Sequence, residues 1–143
     1  MKTYINKSII LLVLLITASA IVSCDKLDKN GALDGSWQLT TLQRKADGVV
    51  TADKNSRIYY YFKLDLMELR QVSDTMYYLA RFQHIADSLI IGPVYQSPYD
   101  SLVAISTVNE KFGIDDGRMH IINLTHNSLI LENKRYKINF RKF

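Results

Sequence analysis

The sequence predicts an all-β domain, built as an antiparallel meander barrel or a sandwich, with one α-helix before the last strands. Short segments in which apolar and polar residues alternate recur from about residue 35 onward, and turn residues separate them. Residues 100–112 alone change to helical spacing. Short strands at regular spacing are typical of barrels and sandwiches.

The first predicted strand begins near Trp37. Because side chains alternate along a strand, Trp37, Leu39 and Thr41 are expected on one face. The polar residues 44–56, which contain Asp47-Gly48, are predicted to form a loop.

Residues 57–72 are predicted to be mainly strand, because Ile58, Tyr60 and Phe62 alternate with more polar neighbours. The alternation slips near residues 65–67, which predicts a bulge or a bend. After a turn at Ser73-Asp74, the chain is expected to return as a strand over 76–84, with an inward set of Tyr78, Ala80 and Phe82.

The second half of the domain is predicted to contain the helix. Residues 88–91 form a short strand, and residues 92–99 are assigned to a loop because they hold both prolines. Over residues 100–112 the apolar residues recur every three to four positions, with Asp100 as N-cap and Gly113 as terminator. The three closing strands are expected at 118–124, 128–131 and 136–141.

The N-terminal segment has the order of a secretory signal. Lys2 and Lys7 precede an almost wholly apolar run over 9–22, which is shorter than the roughly 20 residues of a membrane-spanning helix. The alternative is an uncleaved N-terminal anchor helix. Cys24, the only cysteine, lies two positions beyond the end of the run, so the domain must be stable without disulfides.

Ile21-Val22-Ser23-Cys24 resembles the lipobox of bacterial lipoproteins. The resemblance implies cleavage after residue 23 and attachment of a diacylglycerol to the Cys24 thiol. It therefore divides the chain into a cleaved signal peptide (1–23), a lipidated cysteine with a tether (24–34) and a barrel domain (35–143). Membrane attachment through acyl chains is lasting when two or more chains are buried.

Gly35-x-Trp37 resembles the opening of lipocalins, and the rest is similar to small lipocalin-like lipoproteins of Bacteroidota. The resemblance implies a lipocalin-like meander barrel with Trp37 plugging its closed end. It does not imply a ligand, because the chain is short and lacks a disulfide; both a filled and a hollow barrel stay open. The stretches that carry it are Tyr59-Tyr60-Tyr61-Phe62, Leu69-Arg70, Arg81-Phe82-Gln83-His84, Asp87-Ser88-Leu89, Lys111-Phe112-Gly113-Ile114, Leu124-Thr125, Leu129-Ile130-Leu131 and Phe140-Arg141-Lys142-Phe143.

Composition argues against several classes of function. The net charge of +4 falls to +2 when Lys2 and Lys7 leave with the signal, and no Lys/Arg run indicates a nucleic-acid partner. Neither G-x-S-x-G nor H-E-x-x-H occurs, and Asp115-Asp116, followed by glycine, is most simply a turn. We expect no enzyme, no cofactor and no metal site; the three histidines, His84, His120 and His126, are expected at the surface or rim.

Three sets of candidate site residues remain. Three Asp-Ser/Thr-apolar triplets resemble the O-glycosylation sequon of exported Bacteroidota proteins, at Thr75, Ser88 and Ser101. Outward tyrosines are candidates for contacts with sugars or proteins: Tyr59, Tyr61, Tyr77, Tyr95 and Tyr99. The barrel interior is a candidate ligand site, lined by Trp37, Leu39, Thr41, Tyr60, Phe62, Tyr78, Phe82, Ile138 and Phe140.

We therefore expect a lipid-anchored, non-catalytic binding module of the cell envelope, for a small apolar or glycan ligand, with Thr41 supplying polarity inside. The alternative is a periplasmic inhibitor or immunity-type protein with a filled barrel, which contacts a partner protein through residues 44–56 and 92–99. Its membrane is expected to be the outer one, on either the periplasmic or the surface face.

Overall fold

The computed structural model describes residues 29–143, which form ten strands, one α-helix and two short 3-10 helices (Gly31–Leu33 and Lys54–Ser56). No helix within this range is long and apolar enough to cross a bilayer. The elements are β1 (Gly35–Arg44), β2 (Val50–Asp53), β3 (Ile58–Lys63), β4 (Leu66–Gln71), β5 (Tyr77–Ile85), β6 (Ser88–Ser97), β7 (Ser101–Val103), α1 (Ile105–Phe112), β8 (Arg118–Leu124), β9 (Ser128–Glu132) and β10 (Tyr136–Lys142).

Eight antiparallel strands close into a barrel, as the sequence predicts. The circuit runs β1-β3-β4-β5-β6-β8-β9-β10 and returns to β1, because β1 pairs with β10 from Trp37↔Lys142 to Arg44↔Tyr136. β2 pairs with β1 beyond the end of β3, and β7 pairs only with β6. The buried side chains form one cluster inside this circuit.

The two ends of the barrel differ. The first end, which we name the closed end, contains the start of β1 and the turns β3–β4, β5–β6 and β8–β9. At the second, the helix end, α1 lies beside the turns β4–β5 and β9–β10. The fully buried Leu33 covers the closed end, and the Trp37 indole Nε1 donates to its carbonyl oxygen at 2.7 Å.

The folded domain begins before Gly35, although the sequence predicts a tether through Asp34. The Asn30 side-chain amide donates to the Asp34 carboxylate and, at 2.7 Å, to the Leu64 carbonyl. Residues 30–34 are therefore part of the closed end. The predicted signal peptide and the predicted lipidation of Cys24 lie outside the described residues.

The prediction that Thr41 shares the inner face of Trp37 and Leu39 is wrong. The pairing of β1 with β10 shifts by one residue between Leu39 and Thr41, and Thr40, the extra residue, donates its hydroxyl to the Asn139 carbonyl. Beyond this bulge the alternation is reversed. Leu42 is fully buried and Thr41 pairs with Asn139 on the outside.

The assignment of residues 92–99 to a loop is also wrong, because β6 continues to Ser97. A bulge accommodates Gly92-Pro93: Phe82 pairs with Ile91 but Ala80 pairs with Val94, so β6 carries one extra residue there. Proline is tolerated at such a bulge. A Cβ on Gly92 would lie 3.2 Å from the Arg81 carbonyl oxygen, which is a tight contact.

The helix is shorter than predicted. It begins at Ile105, because Asp100 occupies a turn with φ of 50° and Leu102 belongs to β7. Its predicted end is confirmed: Gly113 has φ of 73° and donates its N–H to the Asn109 carbonyl. The slip near residues 65–67 is a tight β3–β4 turn in which Lys63 pairs with Leu66.

Gly113→Ala tests whether the end of α1 must approach the barrel wall. The new Cβ would lie 2.6 Å from Leu42 Cδ1 and 2.9 Å from Ile138 Cδ1, in a left-handed conformation. Conformational strain and overpacking together should lower the free energy of unfolding by about 2–4 kcal/mol. Chemical denaturation measures this.

Gly31→Ala is the matched control, since Gly31 also has positive φ but a Cβ added there would have no atom within 4 Å. It should cost only the strain, about 1–2 kcal/mol. Equal losses in the two variants would contradict the packing argument.

Candidate binding site

The structure brings eight of the nine predicted interior residues together inside the barrel; the exception is Thr41. Tyr78 is partly buried and packs against the core. The other seven are at most 3% exposed: Trp37, Leu39, Tyr60, Phe62, Phe82, Ile138 and Phe140. What the sequence proposes as a ligand-binding surface is therefore also the hydrophobic core.

Aromatic rings occupy the centre of this interior. The Tyr60 ring lies 4.8 Å from that of Phe140 and 6.2 Å from that of Phe62, and Phe62 meets Phe82 edge-on at 5.2 Å. These are the tilted and T-shaped arrangements that aromatic side chains prefer. Interlocked rings leave no face of Tyr60 or Phe62 free for a ligand to stack upon.

Helix α1 completes the filling from the helix end. Its buried apolar side chains are Val108 and Phe112, and the Phe112 ring lies 5.8 Å from Tyr78 and 6.3 Å from Tyr60. The helical spacing predicts an apolar face here, but it does not reveal that this face enters the barrel. Phe112 is thus an interior residue that the sequence pattern does not place inside the barrel.

Three buried polar side chains, which we name the helix latch, hold the end of α1: Tyr60, Asn133 and Asn109, whose Oδ1 accepts from the Asp115 N–H at 3.0 Å. The Tyr60 hydroxyl donates to the Phe112 carbonyl, and the Asn133 amide donates to the Gly113 carbonyl at 2.6 Å. Asn133 Oδ1 also accepts from the Tyr136 N–H at 2.8 Å. The latch thus satisfies two main-chain carbonyls at the helix C-terminus, where intrahelical partners run out.

The latch has an electrostatic consequence. Burial raises the pKa of Tyr60 far above its usual range, because the interior disfavours a phenolate.

At the surface, the hydrogen bond from Lys111 on α1 lowers the pKa of Asp74 in the β4–β5 turn. This exposed pair contributes at most about 1 kcal/mol.

Three depressions of about 500–630 Å³ lie on the outside of the barrel. One is bordered by Lys29, Leu64 and Arg81, another by Arg118, His120 and Lys134, and the third by the Gly92-Pro93 bulge and β7. None of the three reaches Trp37, Tyr60 or Ile138. A small molecule bound in any of these three depressions would therefore lie on the outer surface of the barrel.

The histidines do not converge. His84 is half-buried near the end of β5, His120 Nε2 lies 3.4 Å from Asp87 Oδ2, and His126 is exposed in the β8–β9 turn. Across residues 29–143, no group of three metal-ligating side chains is close enough to hold an ion. Asp115 and Asp116 face different cations, Arg135 at 3.9 Å and Lys134 at 3.8 Å.

The outward tyrosines do not form one free surface. Tyr59 is buried on the outside of the barrel, where it meets the Phe143 ring edge-on at 5.1 Å. Tyr77 lies beneath the Arg70 guanidinium at 4.7 Å. Tyr95 and Tyr99 remain exposed.

The candidate glycosylation residues differ in accessibility. Thr75 and Ser101 are exposed, whereas Ser88 is half-buried at the start of β6. Their modification stays a prediction.

Comparison with known proteins shows the family of the chain and solved structures with a similar fold. The model of a family described as "Lipocalin-like domain" matches residues 17–143. A lipocalin-like protein from Bacteroides uniformis is 24% identical, with a TM-score of 0.58, over 79% of this chain and 100% of the other. An uncharacterized protein from Bacteroides eggerthii is 23% identical, with a TM-score of 0.55, over 78% and 99%. A protein from Burkholderia xenovorans is 14% identical, with a TM-score of 0.54, over 85% and 92%.

These likenesses support the barrel and do not identify a ligand. The comparison with curated proteins returns no significant match.

Tyr60→Phe tests the helix latch. At neutral pH it should lower the free energy of unfolding by about 1–2 kcal/mol, because the buried Phe112 carbonyl loses its donor. Above about pH 10 the wild type should lose stability, since Tyr60 ionises in the unfolded chain but not in the folded one. Ionisation of Tyr60 in the unfolded chain lowers the free energy of unfolding of the wild type by about 1.4 kcal/mol per pH unit. The difference in stability between the wild type and the variant should therefore shrink.

Denaturant titrations at pH 7 and pH 11 measure both effects. Tyr95→Phe is the control, because Tyr95 is exposed and should show neither. A Tyr60→Phe deficit that is equal at both pH values would contradict the assignment.

Proposed function

Because the chain belongs to the lipocalin-like domain family, we propose that it is a lipid-anchored, non-catalytic binding module of the cell envelope that recognises a partner protein with its outer surface. The family fold is generally used for binding rather than catalysis. The lipid anchor, the envelope location and the partner go beyond the comparisons and rest on the arguments below.

The observation that carries the proposal is the filled interior. An eight-stranded barrel is just wide enough for its own side chains to fill. Here the barrel wall contributes the fully buried side chains of Trp37, Tyr60 and Phe62, and helix α1 contributes that of Phe112. A ligand could enter only if part of this core moved, whereas the outer surface is available without any rearrangement.

The helix end supplies exposed apolar side chains for such a contact. Val50 begins β2, and the others lie in connections between elements: Val49, Val72, Met76 and Tyr99. Exposed apolar groups with polar neighbours are typical of protein interfaces, in which tyrosine and methionine are enriched. Residues 44–56, which the sequence proposes as a contact loop, contribute two of these positions.

The anchor is proposed from the N-terminal sequence. A charged start, a short apolar run and a cysteine directly after small residues favour cleavage before Cys24 and acylation of its thiol. Several acyl chains, at about 0.8 kcal/mol per buried methylene, would hold the domain stably at a membrane. We propose the outer membrane, with either face open.

A small apolar or glycan ligand is the second candidate, and one observation favours it. Phe112 reaches the interior on the single helix of the described domain, a helix of only eight residues without a side-chain N-cap. Withdrawal of α1 would open space beside Tyr60 and Tyr78. Such a ligand would have to displace Phe112 and the helix latch.

Native mass spectrometry of the mature domain, released from its lipid after gentle purification from its host, distinguishes the two candidates. A bare polypeptide mass is expected. A reproducible extra mass that is lost on denaturation would contradict the filled barrel and favour the ligand candidate.

Cys24→Ser tests the anchor. Because the thiol is the proposed acylation point, the variant should lose the acyl mass and leave the membrane fraction. Lys26→Gln, two residues later, should stay in that fraction and is the control. Membrane fractionation with intact-mass analysis is the measurement; an unacylated wild type would contradict the anchor.

Phe112→Ala tests whether α1 fills a potential ligand space. Removal of this buried ring should cost about 3–5 kcal/mol and leave an apolar cavity. Such a cavity can accept a small apolar probe, so benzene should raise the Tm of the variant but not of the wild type. Phe143→Ala, at a residue that is 72% exposed, should show neither effect. An equal benzene response in the wild type would show that the barrel is already hollow.

A further inference from the structure

We propose that the closed end of the barrel lies against the lipid surface that holds Cys24, so that the helix end faces away from the membrane. This inference rests on the proposed function, because it requires a lipidated Cys24. It adds the identity of the membrane-facing surface and thereby the surface left for a partner.

The tether joins the domain at the closed end of the barrel. Asn30 is fixed to the closed end, since its side chain bonds to Asp34 and to the Leu64 carbonyl in the β3–β4 turn. The next residues form the 3-10 helix Gly31–Leu33, and the Trp37 indole bonds to the Leu33 carbonyl. The part of the chain that can act as a tether therefore ends at Asn30 and not at Asp34.

The tether is short compared with the height of the barrel. Six residue steps separate Cys24 from Asn30, so the tether reaches at most about 21 Å. β1 and β6 each have ten residues. At the usual rise and tilt such strands give a barrel height of about 25 Å, before the loops are added. A tether fixed at the closed end therefore excludes an upright barrel that rests on its helix end alone.

The closed end carries side chains that suit a lipid surface. It exposes apolar side chains at two of its strand ends, Leu66 and Ile85, and basic side chains at Lys29 and Lys63. Its two turn carboxylates, Asp65 and Asp87, lie beside Arg81 and His120. Ile122, also exposed, lies near the β8–β9 turn at the same end. Apolar groups combined with lysines suit the interfacial region of a bilayer with anionic lipids.

The experiment uses the full lipidated chain in vesicles of phosphatidylethanolamine and phosphatidylglycerol, in which some headgroups carry a nitroxide quencher. Because acylation consumes the only native thiol, one introduced cysteine can be labelled with a fluorophore. Ile85→Cys reports on the closed end and Val49→Cys on the helix end. The two positions are matched, since their exposures are 53% and 46%.

We expect headgroup quenching several-fold stronger at position 85 than at position 49. Equal quenching, or stronger quenching at position 49, would overturn the proposed orientation. A second pair, His126→Cys at the closed end and Lys134→Cys at the helix end, must give the same order. This pair keeps the test valid if either first variant fails to fold.

Intact mass and vesicle flotation are measured before quenching, so the two proposals fail in different ways. A chain without acyl mass that does not float overturns the anchor, and the orientation with it. A chain that is acylated and floats, but is quenched equally at both ends, overturns the orientation alone.

Discussion

The pairing of β1 with β10 is the constraint on which the rest of the structure depends. It turns an open sheet into a barrel, removes two exposed strand edges and defines one interior volume. At eight strands that volume is close to what side chains can fill, so the interior must be packed by the wall and by whatever covers its ends. The helix latch and the 3-10 helix Gly31–Leu33 follow from that requirement.

The two ends of the barrel are sealed by different means. The closed end uses residues that precede β1, with Leu33 buried and Asn30 bonded across to the β3–β4 turn. The helix end uses Phe112, which is carried in by α1 and held by Tyr60 and Asn133. The chain enters the fold at the first of these ends, so the two proposals place anchoring and partner binding at opposite ends of the barrel.

Some errors of the sequence analysis have one physical cause, the irregularity of closed sheets. Alternation identifies a strand, but one extra residue reverses it: the bulge at Thr40 turns Leu42 inward and Thr41 outward. Likewise, Gly92-Pro93 looks like the start of a loop, yet a bulge accommodates it within β6. Helical spacing identified the apolar face of α1, although Leu102, which shares the spacing, belongs to β7.

Local periodicity and short motifs are enough to predict the fold class, most strand positions and the end of α1 at Gly113, and they carry the proposal of an anchor at Cys24. The filled interior, its completion by Phe112 and the place of residues 30–34 in the closed end become visible only in the folded structure. Those features depend on contacts between residues far apart in the chain, such as Tyr60 with Phe112 and Asn133 with Gly113. Local sequence patterns do not identify such partners, since many distant residues could pack against the same apolar face or donate to the same carbonyl.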